Sequence, residues 1–195
     1  MRDRDRFNRL AGVGAAATAA VLLLGLAACS MNVDQKGEGP KKNVDIQTPF
    51  GGLKVRTEVD PKEIGLPVYA GARRVTDESD DSNSANVTLG IPGFGMKVIA
   101  VKFESDDSPD KVLEFYRKEM KTYGNVTECK GDIDLKGETG DQEFTCKPGS
   151  AETKDHVELA VGKGSSHRIV SVQPQAKGCK FALVYLQLHG KESTM

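Results

Sequence analysis

The chain has 195 residues, 28% of them charged, with 27 basic against 28 acidic side chains and a formal net charge of −1 at pH 7. That balance excludes the basic field a nucleic-acid surface needs, so no nucleic-acid partner is expected. Apolar residues make up 38% with no tryptophan, enough for one core, and 21 glycines suit short strands joined by many turns.

An uncharged, largely apolar run extends from Leu10 to Cys29, behind a start in which Arg2, Arg4, Arg6 and Arg9 outweigh Asp3 and Asp5. A basic start, an apolar middle and small residues before a cleavage point describe a secretory leader, residues 1–28. The alternative is an uncleaved transmembrane helix, since about 18 apolar residues can cross a bilayer. The many alanines and the ending at a cysteine favour the leader. Leu26-Ala27-Ala28-Cys29 resembles the bacterial lipobox. The resemblance implies cleavage after Ala28, lipidation of Cys29 by acyl chains such as palmitate, and attachment to the membrane through that lipid. It places the domain outside the cytoplasm, in the cell envelope. Each buried CH₂ adds about 0.8 kcal/mol, so several chains hold where one does not. Ser30, next after the cysteine, leans the expected location towards the outer membrane.

Residues 29–42 are polar, with Gly37, Gly39, Pro40 and lysines, and read as a lipidated flexible tether. A single soluble domain is expected over 43–190, with a disordered tail at 191–195. Val44 to Thr48 and Leu53 to Thr57 alternate around Pro49-Phe50-Gly51-Gly52, a hairpin signal. Asp60-Pro61-Lys62-Glu63-Ile64-Gly65 reads as one helical turn, capped by Asp60 and stopped by Gly65. Asn86 to Ile91 and Met96 to Phe103 are strands around Pro92-Gly93-Phe94-Gly95. The second is apolar on both faces and so central in a sheet. Pro109 to Tyr123 is the one strong helix, capped by Ser108, with Val112, Leu113, Tyr116, Met120 and Tyr123 on a single stripe. His156 to Gly162, His167 to Gln173 and Phe181 to Leu188 complete the strands, the last almost wholly apolar and so expected to be buried on both faces. The fold class is therefore α+β: a largely antiparallel β-sheet with one main α-helix, about 109–123, packed on it.

Outside the cytoplasm disulfides persist, and three thiols remain beside Cys29, allowing three pairings. Placing a two-residue turn at Gly137-Glu138 puts Lys136 opposite Thr139 and Cys129 opposite Cys146. That register segregates apolar from charged residues over Val126 to Lys147 and selects a Cys129–Cys146 disulfide in a non-hydrogen-bonded pair. Cys179 is left over and reads as a buried thiol at the start of the last strand rather than an intermolecular bridge or a reactive nucleophile, since no acid or histidine is obviously placed to activate it.

The constellations that could carry chemistry are thin. His156, His167 and His189 share no short ligand spacing, although His167 and His189 could meet at one edge of paired last strands. Asp77, Ser79, Asp81 and Asn83 alternate like the start of a calcium loop, but Ser82 stands where glycine is needed and Thr88 where the closing glutamate belongs. No phosphate-binding loop and no nucleophile elbow occur, so neither catalytic residues nor cofactors are expected. Asn86-Val87-Thr88 and Asn125-Val126-Thr127 match glycosylation sequons, which a bacterial leader makes idle.

Three stretches carry a wider resemblance: Val44-Asp45-Ile46-Gln47-Thr48-Pro49-Phe50-Gly51-Gly52-Leu53, Gly65-Leu66-Pro67-Val68-Tyr69-Ala70-Gly71-Ala72, and Ser105 through Tyr116 with its Ser108-Pro109 start. Together they resemble bacterial exported proteins that carry no assigned activity, so the resemblance implies a single α+β domain and transfers no functional residue. The function expected is a lipid-anchored envelope protein with a non-catalytic binding or scaffold domain, for which an envelope protein is the candidate partner. The alternatives are an enzyme, with Cys179 beside a histidine, or a carrier of an apolar ligand held between helix and sheet.

Overall fold

Period-two alternation dominates the chain, and the computed structural model is mostly antiparallel β-sheet with one α-helix. It describes residues 43–75, 84–137, 142–151 and 153–190, together with the backbone of 30–34. The strands are β1 (Ser30–Asp34), β2 (Asn43–Thr48), β3 (Gly51–Arg56), β4 (Arg73–Arg74), β5 (Ser84–Ile91) and β6 (Phe94–Ser105). After the helix α1 (Pro109–Met120) come β7 (Thr127–Lys130), β8 (Asp132–Lys136), β9 (Glu143–Lys147), β10 (Val157–Lys163), β11 (Ser166–Pro174) and β12 (Cys179–Gly190).

The main sheet runs in the order β1-β2-β3-β5-β6-β12-β11-β10-β7, with β4 on the same edge of β6 beyond the reach of β5. β6 and β12 lie at its centre and pair over their whole length, from Cys179 opposite Ser105 to Gly190 opposite Phe94. Ser30–Asp34, polar enough to read as tether, instead pairs with β2 as the sheet's edge, Ser30 opposite Gln47. Residues 29 and 35–42 lie outside the described residues, as do the expected leader 1–28, the acidic stretch 76–83 and the expected tail 191–195.

The core occupies one face of the sheet. Ile99, Val101 and Phe103 of β6, Leu159 and Val161 of β10, Val170 and Val172 of β11, and Phe181 and Leu183 of β12 meet Val112, Leu113, Tyr116 and Met120 of α1, all buried. Pro109 and Asp110 start the helix, but Ser108 makes no side-chain capping bond; its carbonyl accepts from Lys111 and Val112 instead. The last expected turn, Lys121–Tyr123, tightens to 3₁₀ geometry, so Tyr123 leaves the buried stripe. The segment ahead of β4 closes the rest of this face with Val59, Ile64 and Leu66. Its helical turn Pro61–Ile64 forms as the sequence requires: Asp60 Oδ1 accepts from the Lys62 amide at 3.0 Å, and Gly65 has φ 81°. Tyr116 ties that segment to the helix. Its hydroxyl accepts from the Tyr69 amide and donates to the Pro67 carbonyl, both at 3.2 Å.

The opposite face carries a small second sheet, β8 with β9. Here the cysteine pair is as expected but the register is not. Cys129 and Cys146 form a disulfide with Cα atoms 5.4 Å apart, yet Cys146 sits opposite Ile133, and Lys136 faces Glu143 rather than Thr139. Gly131 is the reason. At φ 98°, and with a Cβ there destined to lie 2.4 Å from the Gly149 amide nitrogen, it turns the chain out of β7 into β8. β7 therefore joins β10 in the main sheet, and the disulfide staples one sheet to the other. The slip from the expected register is even, so Ile133, Leu135, Phe144 and Cys146 still share a face.

Two expectations follow. Replacing Cys129 and Cys146 by serine should cost about 3 kcal/mol, measured as a shift in denaturant midpoint under oxidising conditions that reductant abolishes. Tyr116→Phe, which leaves the Tyr69 amide and the Pro67 carbonyl without a partner, should cost about 1–3 kcal/mol in the same assay while the helical circular dichroism is retained.

Candidate functional site

Side chains alternate across the sheet, and the register decides which residues share the face turned away from α1. They are Leu53 and Val55 of β3, Val87 and Leu89 of β5, Val98 and Ala100 of β6, Ala182, Val184 and Leu186 of β12, and Ile169 of β11. All are half-buried, whereas their neighbours Ile99, Val101 and Leu183 on the helix face are fully buried. The strand Met96 to Phe103 is central in the sheet as expected, but the expectation that Phe181 to Leu188 is buried on both faces is corrected. Both strands are central in the strand order, but a strand is covered only where a second layer lies on it. Among the described residues that layer is the β8–β9 hairpin, which sits over β7, β10 and β11.

The hairpin is seated by His167. This side chain is 1% exposed, its Nε2 lies 2.9 Å from Gln142 Oε1, and the ring meets the edge of Phe144. Burial lowers its pKa below the ordinary imidazole value, against a smaller opposing effect of the Gly164 backbone, so the ring is neutral at pH 7 and Nε2–H donates to Gln142. Gly162 stands directly opposite, and a Cβ there would come within 2.3 Å of Nδ1. A hidden histidine of this kind locks a hairpin; it is no proton shuttle.

Along the same face the polarity changes towards the end where β12 begins. A cleft of about 300 Å³ opens there, lined by Lys102, His156, Ser171, Gln173 and Lys180 with Ala182 at its apolar side. A second cleft, about 280 Å³, lies beyond Lys180. In it Arg73 reaches Asp106 at 3.1 Å and Glu104 at 3.4 Å, and Lys177 approaches Asp106 from the other side. Arg73 holds the Asp106 carboxyl below the usual carboxylate range. Cys179 borders this second cleft, His156 the first, and no histidine lines the cleft of Cys179. The pairing that would have favoured nucleophilic chemistry does not form. Cys179 is 1% exposed, and burial, helped by the nearby Asp107 charge, pushes its thiol pKa up.

Other sequence candidates disperse. His167 lies opposite Leu186 and His189 opposite Gly95, on opposite faces, so they do not meet. Among the described residues no three ligating side chains gather for a metal. Of the calcium-like loop, Asp77 to Asn83 lies outside the described residues, while Thr88 is an exposed strand residue. No helix among the described residues is long and apolar enough to cross a membrane. What the sequence did not single out are the half-open apolar face and the exposed hairpin tips at Phe50, Ile91 and Phe94.

In the folded protein iodoacetamide should leave Cys179 unmodified at mildly alkaline pH and label it fully once urea unfolds the domain; rapid labelling of the native state would restore a reactive-thiol reading. No family model, no curated protein and no solved structure matches this chain.

Proposed function

We propose that this is a lipid-anchored domain of the bacterial envelope that binds without catalysis, and that it binds through the sheet face turned away from the helix. The observation that carries the reading is the row of half-buried apolar side chains from Leu53 to Ile169, left by a fold with one helix to spend on two faces. A contiguous apolar face left partly open to solvent marks a binding surface more often than it decorates a monomer. Arg73, Glu104 and Asp106 in the second cleft are engaged with one another as ion pairs, and no histidine stands beside Cys179, which favours binding over chemistry.

The apolar-ligand reading survives in altered form. The helix–sheet interface is filled, with Val112, Tyr116 and Met120 wholly buried against Leu159, Val170 and Phe181. An apolar ligand would therefore lie along the other face, its polar end towards the cleft of Lys102, Lys180 and His156.

A photo-crosslinking residue at Val98 or Val184 in living cells tests both forms. Adducts of one reproducible mass are expected at these positions and none at Glu114 on the outer side of α1. A protein-sized adduct makes the domain an accessory subunit, and a lipid-sized one makes it a carrier. Equal, diffuse labelling at all three positions would end the proposal.

A further inference from the structure

Two hairpin tips stand side by side at one end of the sheet. The β2–β3 tip presents Phe50, 78% exposed, and the β5–β6 tip presents Ile91, 50% exposed, and Phe94, 37% exposed. Gly52 pairs with Gly90, and Gly51 packs so closely that a Cβ on it would lie 2.2 Å from the Gly90 carbonyl oxygen and 3.1 Å from Ile91. The glycines bring the tips together, and the apolar side chains project beyond them. From Thr48 to Leu53 and from Leu89 to Met96 neither tip carries a charge. Single exposed apolar residues need no explanation, but three on two touching tips without a charge among them form a patch.

The register of β1 supplies a second, independent observation. Ser30 pairs with Gln47, the residue before Thr48, so the chain enters the sheet at the end that holds the tips. Cys29 is its immediate neighbour in sequence, and consecutive Cα atoms are about 3.8 Å apart. The lipid-bearing position and the three apolar side chains therefore share one end of the sheet. The other end holds the β11–β12 turn with exposed Ala176, about 36 Å away along the length of β12.

We infer that Phe50, Ile91 and Phe94 enter the interface of the phospholipid bilayer beside the lipid of Cys29 and fix the domain upright on it, with the clefts of Lys102 and Arg73 facing away. The inference rests on reading Cys29 as the lipidated residue. Acyl chains supply the anchoring affinity, and the tips supply orientation, as apolar groups buried about 5–10 Å into the headgroup–acyl boundary do. Aromatic side chains suit that depth.

The absence of native tryptophan makes the test direct. Phe50→Trp, Phe94→Trp and Ala176→Trp would each be placed in the full lipidated chain and reconstituted in phosphatidylcholine vesicles with and without bromine on the acyl chains. Emission from positions 50 and 94 should shift to the blue on reconstitution and lose intensity with brominated lipid, while position 176 does neither. Vesicle flotation without bromine quenching at 50 and 94 would overturn the inference and leave the lipid anchor standing. A blue shift without quenching would assign the tips to self-association and also overturn it. Failure to float, with mass spectrometry showing Cys29 unmodified, would instead remove the anchor on which it rests.

Discussion

One short helix has to serve a sheet far wider than itself. α1 has twelve residues, a cylinder about 18 Å long and about 10 Å across, while neighbouring strands lie about 4.8 Å apart. It spans two or three strands of a sheet whose main path contains nine. Everything else in the fold is a response to that shortage of cover. On the helix face the deficit is made up by an irregular segment, Val59 to Ala72, held to the helix by the Tyr116 hydroxyl and to β11 by Arg168. The Arg168 guanidinium donates to the Ile64 carbonyl at 3.1 Å and lies 3.8 Å from the centre of the Tyr123 ring, so one side chain joins the sheet, the segment and the end of the helix.

On the other face a hairpin substitutes for a second helix over part of the sheet. A two-stranded hairpin is marginal by itself. Here it is fastened three ways: the Cys129–Cys146 bridge, the Glu158 carboxylate accepting from the Ile133 amide at 2.7 Å, and Gln142 with Phe144 against His167. These contacts lie at the β7–β11 side of the sheet, which leaves the β2–β6 side without a covering layer among the described residues. The proposed binding surface and the structural shortage are one feature seen from two sides.

Much of the framework was legible because local rules and global fold agree. The turn at Pro61–Ile64 and the start of α1 at Pro109 each follow from residues whose preferred backbone geometry is the one used. The Cys129–Cys146 pair was legible too, although through a register that does not form: Gly131 has a conformation that alternation does not reveal. Burial was harder to read. An apolar run such as Phe181 to Leu188 reports that a strand is flanked by others, not that both of its faces are roofed, since half-buried valines satisfy the same pattern. The clustering of Phe50 with Ile91 depends on the pairing of β3 with β5 across a long loop, which no local signal encodes.

The direction of β1 also sets how the molecule answers force. Ser30–Asp34 lies antiparallel to β2, with Ser30 at the outer end. A pull applied through Cys29, along the strand and away from the domain, loads the hydrogen bonds of all five residue pairs together, in shear, instead of breaking them one after another as a sideways pull would. Under the proposed lipid anchor at Cys29, tension between lipid and domain would be met where the strand resists most, and the edge of the sheet would act as a mechanical fastening rather than a leash.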